Sequence, residues 1–318
     1  MIVEANGITK TFGETQAVQH LDLAIPKGAV VALLGPNGAG KTTTIRILTT
    51  LLEPDSGTVT VAGHDALREP GKVRSKIGLA GQSVTMDEYL SALQNLTMIA
   101  RLYHLGRKDA RRRARELIDQ FGLSDAAGRP VKTYSGGMRR RLDLAASLIA
   151  SPPVLFLDEP TAGLDPESRN TAWEVIRGLA RAGTTVLMTT QYIEEADQLA
   201  DTATIINHGR IIISDTPTRL KAQLGGQRLQ IKLVDPAAIR TIPRLQDKTL
   251  PPDGETASLG FAIPSGQAGI REVASILEAL IDRGIAVEDY AIQRPTLEQA
   301  FLHLVGSDGR KPPVTEAI

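Results

Sequence analysis

The stretch GPNGAGKT at residues 35–42 constrains this 318-residue chain more than any other. It fits the pattern G-x-x-x-x-G-K-[S/T], which has physical meaning only between a strand and a helix start. Val30–Leu34 before it is short, apolar and β-branched, so it reads as a buried strand. Residues 42–51 after it can continue as a helix. Gly35, Gly38 and Gly40 let the backbone curl without Cβ clashes. The N–H groups of such a curl point at an anion, and the helix N-terminus adds a favourable field. The candidate phosphate binders are therefore Gly35, Pro36, Asn37, Gly38, Ala39, Gly40, Lys41, Thr42 and Thr43. Lys41 would reach the β- and γ-phosphates of a nucleoside triphosphate, and Thr42 would place a hydroxyl on Mg²⁺. No dinucleotide pattern G-x-G-x-x-G occurs here, which argues against a hydride carrier.

A second apolar strand, in VLFLDEP at residues 154–160, ends on Asp158 and Glu159. Ligands of α/β sheets sit beyond the carboxyl ends of strands. An aspartate there suits the hydration shell of Mg²⁺. Glu159 has no basic neighbour in sequence, which suits a carboxylate that polarises water. Ser135, Gly136 and Gly137 open a further helix and make a second anion-receptive end. One loop already satisfies the phosphates of one nucleotide. A second such end suggests that two copies share each nucleotide.

Short buried strands alternate with helices over the first two thirds of the chain, which implies an α/β core with a mostly parallel sheet. Residues 2–9 and 16–25 alternate as strands of a partly exposed sheet, and 58–61 and 77–79 add short strands. Helices are expected over 87–104, 108–121, 136–150, Pro166–Arg181 and 193–200. Thr185 opens a third buried strand, and 202–214 reads as a closing hairpin with Gly209 near its turn. Composition shifts near residues 225–226. Beyond it, strands at 228–234, 258–263 and 286–292 alternate with helices at 236–245, 270–283 and 295–305, with a Pro/Gly-rich turn at 251–254. Ile270, Val273, Ile276, Leu277 and Leu280 give the middle helix an apolar face. Residues 307–318 read as a flexible tail.

Global composition excludes more than it assigns. There are no cysteines, so disulfides and thiolate chemistry are ruled out. Lys+Arg and Asp+Glu are both 36, so nothing global argues for nucleic acid as a partner. The run RRRAR at 111–115 reads as a solvated helix face. No stretch approaches the ~18–20 apolar residues of a membrane helix, and the N-terminus is no signal peptide. A soluble, cytoplasmic protein is expected, and any membrane role needs a partner that spans.

In order and spacing, these motifs resemble the ATP-binding subunits of ABC transporters from about residue 2 to 216. GPNGAGKTT resembles their Walker A loop and VLFLDEP their Walker B. YSGGMRRRLDLA resembles their signature, usually LSGGQ, with Tyr134 and Met138 in place of leucine and glutamine. Gln82 matches the Q-loop glutamine, which the resemblance makes an Mg²⁺ contact. Asp165 in AGLDP matches the D-loop residue across the dimer seam. Phe12 lies where the family stacks an aromatic ring on adenine. The implied fold is a P-loop NTPase core of the ABC ATPase type over 1–222, with a helical subdomain about 83–150. A small C-terminal α+β domain follows over 223–306.

One residue departs from the pattern. Gln191 stands where the family usually has a histidine contacting the γ-phosphate. Glutamine donates a hydrogen bond there but cannot become cationic or shuttle a proton. Glu159 is left as the expected base, and His208, by a hairpin turn, is a weaker substitute. The phrase TTQYIEEADQLAD and the C-terminal PTLEQAFLHLVG resemble the daunorubicin/doxorubicin-resistance subgroup of drug exporters. That resemblance implies ATP and Mg²⁺ as ligands, a second copy and an integral-membrane permease as partners, and no nucleic acid. The transported small molecule would be met only indirectly, and the place of work would be the cytoplasmic face of the cell membrane. Other readings stay open: a soluble ATPase of the same superfamily acting on ribosomes or DNA, an exporter of lipid or ion, and an importer subunit.

Overall fold

The computed structural model describes residues 1–81, 86–224, 227–235, 249–250, 258–264 and 266–306. The chain divides into two units, Met1–Pro217 and Thr218–Ile318. The first begins with β1 (Val3–Phe12), β2 (Thr15–Ile25), β3 (Val30–Leu34), α1 (Lys41–Leu48), β4 (Ser56–Val61), β5 (His64–Asp65), α2 (Pro70–Arg74) and β6 (Ile77–Ala80). Helices α3 (Ala92–Leu102), α4 (Arg107–Gln120) and α5 (Gly136–Ser147) follow. Then come β7 (Val154–Asp158), α6 (Pro166–Arg181), β8 (Thr185–Thr190), α7 (Ile193–Leu199), β9 (Thr202–Asn207) and β10 (Arg210–Asp215). Helix α8 (Pro217–Ala222) starts at the division. The second unit holds β11 (Gln227–Leu233), β12 (Thr249–Leu250), β13 (Ser258–Ile263), α9 (Gln267–Ile281), β14 (Val287–Gln293) and α10 (Leu297–Gly306).

The main sheet of the first unit has the order β10-β9-β3-β8-β7-β6. Its strands run parallel except β10, which pairs antiparallel with β9 at one edge. Every residue of β3, β7 and β8 is buried. Apart from the terminal Asp158 of β7, that follows from their apolar or β-branched sequences, which suit a strand covered on both faces. A second, antiparallel sheet has the order β2-β1-β4-β5. One core joins the two sheets through Val3, Ile25, Val31, Ile45, Phe156 and Leu187. The pairings Leu34↔Thr190 and Asp158↔Thr189 bring the carboxyl ends of β3, β8 and β7 side by side.

Several helices start or stop away from where the sequence pattern alone puts them, α5 ending at Ser147 rather than 150 and α9 starting at Gln267 rather than 270 among them. The expected helix over 87–104 begins only at Ala92. Ser91 is its cap: its Oγ accepts from Gln94 N at 3.2 Å, and Gln94 Oε1 accepts from Ser91 N at 2.8 Å. This reciprocal pair is the S-x-x-Q signature of a helix start. Helix α1 ends at Leu48, three residues short of the expectation, as Thr50 takes a positive φ of 63°.

In the second unit the sheet order is β12-β13-β11-β14, all antiparallel. Helix α9 packs Val273, Ile276 and Leu280 against Leu229, Ile231 and Phe261, with Leu277 partly buried beside them. Ile270, expected on that apolar face, is instead 68% exposed. In the first turn of α9 the buried position is Gly269, and Ile270 falls outside the line of Gly269, Val273, Ile276 and Leu280. The helix expected at 236–245, the turn at 251–254 and the tail at 307–318 lie outside the described residues.

Candidate active site

The glycine loop runs from the end of β3 to the first residue of α1. Gly40 is the N-cap of α1 and holds φ 102°, a conformation L side chains rarely adopt. A Cβ there would also strike the carbonyl oxygen of Ala17 on β2. Gly35 and Ala39 are buried, Pro36, Asn37 and Gly38 exposed, and Thr42 and Thr43 half-buried. Lys41 is only 4% exposed. Its Nζ donates to Gly35 O at 2.8 Å and Pro36 O at 3.0 Å, and lies 3.7 Å from Glu159 Oε1. Burial lowers its pKa, and the carboxylates of Glu159 and Asp158 oppose that shift. The loop therefore holds a desolvated cation inside its own curl.

Glu159, which has no basic neighbour in sequence, thus has one in space. Asp158 is buried at the end of β7. Its Oδ1 accepts from Thr189 Oγ1 at 2.6 Å and from Thr42 Oγ1 at 3.2 Å. Thr42 and Asp158 set two hard oxygen donors side by side, and no cluster of three potential metal-ligating His, Cys, Asp or Glu residues occurs among the described residues. Such a sparse set fits a cation that keeps its waters and shares phosphate oxygens, as Mg²⁺ does. Glu159 takes φ 50°. Its N–H lies 3.0 Å from Thr189 Oγ1 and 3.2 Å from Thr189 O.

Sequence reasoning missed Arg140. This buried guanidinium donates from Nε to Pro160 O at 2.7 Å and from Nη1 to Gly81 O at 2.6 Å. Its Nη2 reaches Asp158 O and Glu159 O, both at 2.9 Å. Asp143 lies 3.7 Å away. A signal was present: at helical spacing Arg140 shares a stripe with buried Gly137 and Leu144, where an apolar residue is expected.

Ser135 caps α5, its Oγ accepting from Met138 N at 3.2 Å. Gly137 is buried, and a Cβ on it would strike Ser168 Oγ on α6. Asp165 caps α6, accepting from Ser168 N at 2.9 Å and Ser168 Oγ at 2.7 Å. Those bonds lower its pKa. The structure thus brings Gly137 and Asp165 together, and Lys41, Thr42, Asp158 and Glu159 together. No hydrogen bond joins the Ser135–Gly137 turn to the glycine loop among the described residues.

Gln191 is exposed and follows β8 directly, beside the start of the glycine loop through Leu34↔Thr190. Phe12 ends β1, 49% exposed, with Lys10 Nζ 5.8 Å from its ring centroid. His208 sits in the β9–β10 turn, its carbonyl accepting from Gln19 Nε2. Gln82 lies outside the described residues. Behind Gln191, Glu195 is fully buried on α7 and accepts from Thr161 Oγ1 at 3.0 Å and Trp173 Nε1 at 3.3 Å. Burial raises its pKa, against those bonds.

A buried lysine in a glycine loop, facing a strand-end Asp-Glu pair on a parallel sheet, defines a P-loop nucleoside triphosphatase. The family model described as ABC transporter matches residues 18–162. A daunorubicin resistance ATP-binding protein of Streptomyces coeruleorubidus is 49% identical over 308 residues, covering 96% of this chain and 95% of its own. A daunorubicin/doxorubicin resistance ATP-binding protein of Streptomyces peucetius is 46% identical over 308 residues, covering 96% and 92%. A linearmycin resistance ATP-binding protein of Bacillus subtilis is 35% identical over 311 residues, covering 96% and 98%. Among solved structures, the dimeric post-hydrolysis state of an ATP-binding cassette bound to ADP and Pi superposes with a TM-score of 0.63. It is 26% identical and covers 67% of this chain and 98% of that one. This chain belongs to the ABC transporter family, as an ATP-binding subunit similar to the daunorubicin/doxorubicin-resistance proteins. It is an ATPase whose hydrolysis is coupled to transport.

Proposed function

We propose that the chain powers export of a small hydrophobic compound or drug through a separate membrane permease. The observation that carries this reading is the likeness to drug-resistance subunits over 96% of the chain, second unit included. No helix among the described residues is long and apolar enough to cross a membrane, so the spanning path falls to a partner. The chain would work as a peripheral protein on the cytoplasmic face of the cell membrane.

The chemistry is assigned residue by residue. Backbone N–H groups of Asn37, Gly38, Ala39, Gly40, Lys41, Thr42 and Thr43 cradle the phosphates, Gly35 and Pro36, which has no N–H, turn the loop towards them, and Phe12 lies against adenine. Lys41 exchanges the Gly35 and Pro36 carbonyls for β- and γ-phosphate oxygens. Thr42, Asp158 and Gln82 would hold Mg²⁺ and its waters, and the ion would supply charge neutralisation on the phosphates. Water attacks the γ-phosphorus, the bond to the bridging oxygen of ADP breaks, and Glu159 takes the water's proton. Gln191 donates a hydrogen bond to a γ-phosphate oxygen. Ser135, Gly136, Gly137 and Asp165 belong to the nucleotide of a second copy. The dimeric form of the similar cassette supports that sharing. Hydrolysis removes the charge that joins the copies and reopens the dimer.

The test uses doxorubicin, followed by its fluorescence, in pump-deficient cells. They carry this chain together with a candidate six-span permease from the same genome. Efflux is expected with the natural chain and not with Glu159→Gln. Equal efflux from both sinks the reading, as does co-purification with ribosomes and no membrane partner.

A further inference from the structure

Arg140 has no part in the chemistry above, yet it grips the backbone that carries it. One planar guanidinium clamps three consecutive carbonyls of the turn after β7, those of Asp158, Glu159 and Pro160. Its remaining arm takes the carbonyl of Gly81, just beyond β6. The middle residue of the clamped turn is Glu159, a left-handed residue with a side chain. Such a conformation persists only where the surroundings over-determine it. Here they do so from both ends: Thr189 holds the Glu159 N–H, and Arg140 holds its carbonyl.

Arg140 also belongs to α5, one helical turn from Gly137. The same helix therefore carries the Ser135–Gly137 turn at its start and the clamp on Glu159 a turn later. A helix moves as a rigid rod over so short a distance, so displacement at Ser135 is delivered to the turn through the guanidinium. The neighbouring Asp143 at 3.7 Å balances part of the buried charge. We propose that Arg140 is a positioning residue for hydrolysis: it aims the Glu159 carboxylate and ties its aim to the helix that begins at Ser135.

The proposal rests on Glu159 as the base. Lysine keeps the charge of Arg140 but lacks the fork that meets several carbonyls at once. Arg140→Lys in the full chain is therefore expected to slow single-turnover ATP hydrolysis about 10- to 100-fold, the range a small misplacement costs. The dissociation constant for ATP should stay within about twofold, because the glycine loop is untouched. Added to Glu159→Gln, the lysine change should slow hydrolysis no further, since its route to the reaction is gone. Melting curves identify folded variants, and Arg140→Gln supplies the same comparison where the lysine variant does not fold. Natural-rate hydrolysis in a folded Arg140 variant overturns the proposal. So does an undiminished slowing by the same change in the Glu159→Gln background. Failure of the base assignment shows separately, as full turnover in Glu159→Gln alone.

Discussion

At the scale of single residues, Glu159 and Glu195 are two carboxylates put to opposite uses by their surroundings. Glu159 is 14% exposed beside Lys41 and reaches the mouth of the sheet. Glu159→Gln should lower kcat about 10²- to 10⁴-fold, the usual yield of a positioned base, while ATP still binds. Equilibrium binding of a fluorescent ATP analogue beside steady-state turnover checks both halves. Glu195 has no exposure and holds its proton above the ordinary value of 4.5 because burial disfavours its charge. Its unfolded carboxyl ionises near 4.5, so the stability it gives is complete below that pH. That stability is lost as pH rises towards the folded value. Glu195→Gln does not titrate. It should melt above the natural protein at pH 8, by about 2–4 °C per kcal/mol relieved, and lose that advantage as pH falls towards 4.5. Trp173, the chain's one tryptophan, donates to Glu195 and is the natural fluorescent probe for these melts. A gap that does not change with pH would disprove the assignment.

At the scale of elements, the close approach of α5 to α6 sets what Gly137 is for. Its missing side chain leaves room for Ser168, which in turn holds Asp165 at the start of α6. Gly137→Ala should cost about 1–3 kcal/mol as an overpacked contact. Adding Ser168→Ala should return part of it, as read by denaturant melts of both variants; no recovery would place the clash elsewhere. Much at this scale was legible in the chain itself. Val30–Leu34 and Pro166–Arg181 fall where pattern and punctuation put them, because Gly35 ends the first and Asp165-Pro166 opens the second. The start of α3 is legible too, in the three-residue spacing of Ser91 and Gln94. The grip of Arg140 was not, since its four acceptors are backbone carbonyls that sequence does not label. Nor was the Lys41–Glu159 pair, whose partners are 118 residues apart and meet only through the order of the strands.

At the scale of the whole molecule, all the described candidate residues lie in the unit Met1–Pro217. A chain ended after residue 224 should keep its ATP affinity within about threefold, as titration of a fluorescent analogue would show; complete loss would assign the second unit a share of the site. The composition shifts near 225, several residues beyond the division after Pro217, and α8 and the short β5 are too brief for any period to show. Charge is balanced at 36 of each sign, so no net field draws a polyanion in from a distance. Capture is left to the few ångströms around Lys41, whose ammonium is already satisfied by two loop carbonyls. Nucleotide entry is then a swap rather than an addition. A newcomer wins only by offering oxygens more negative than an amide's, so the loop sorts its visitors by charge density before it measures their shape.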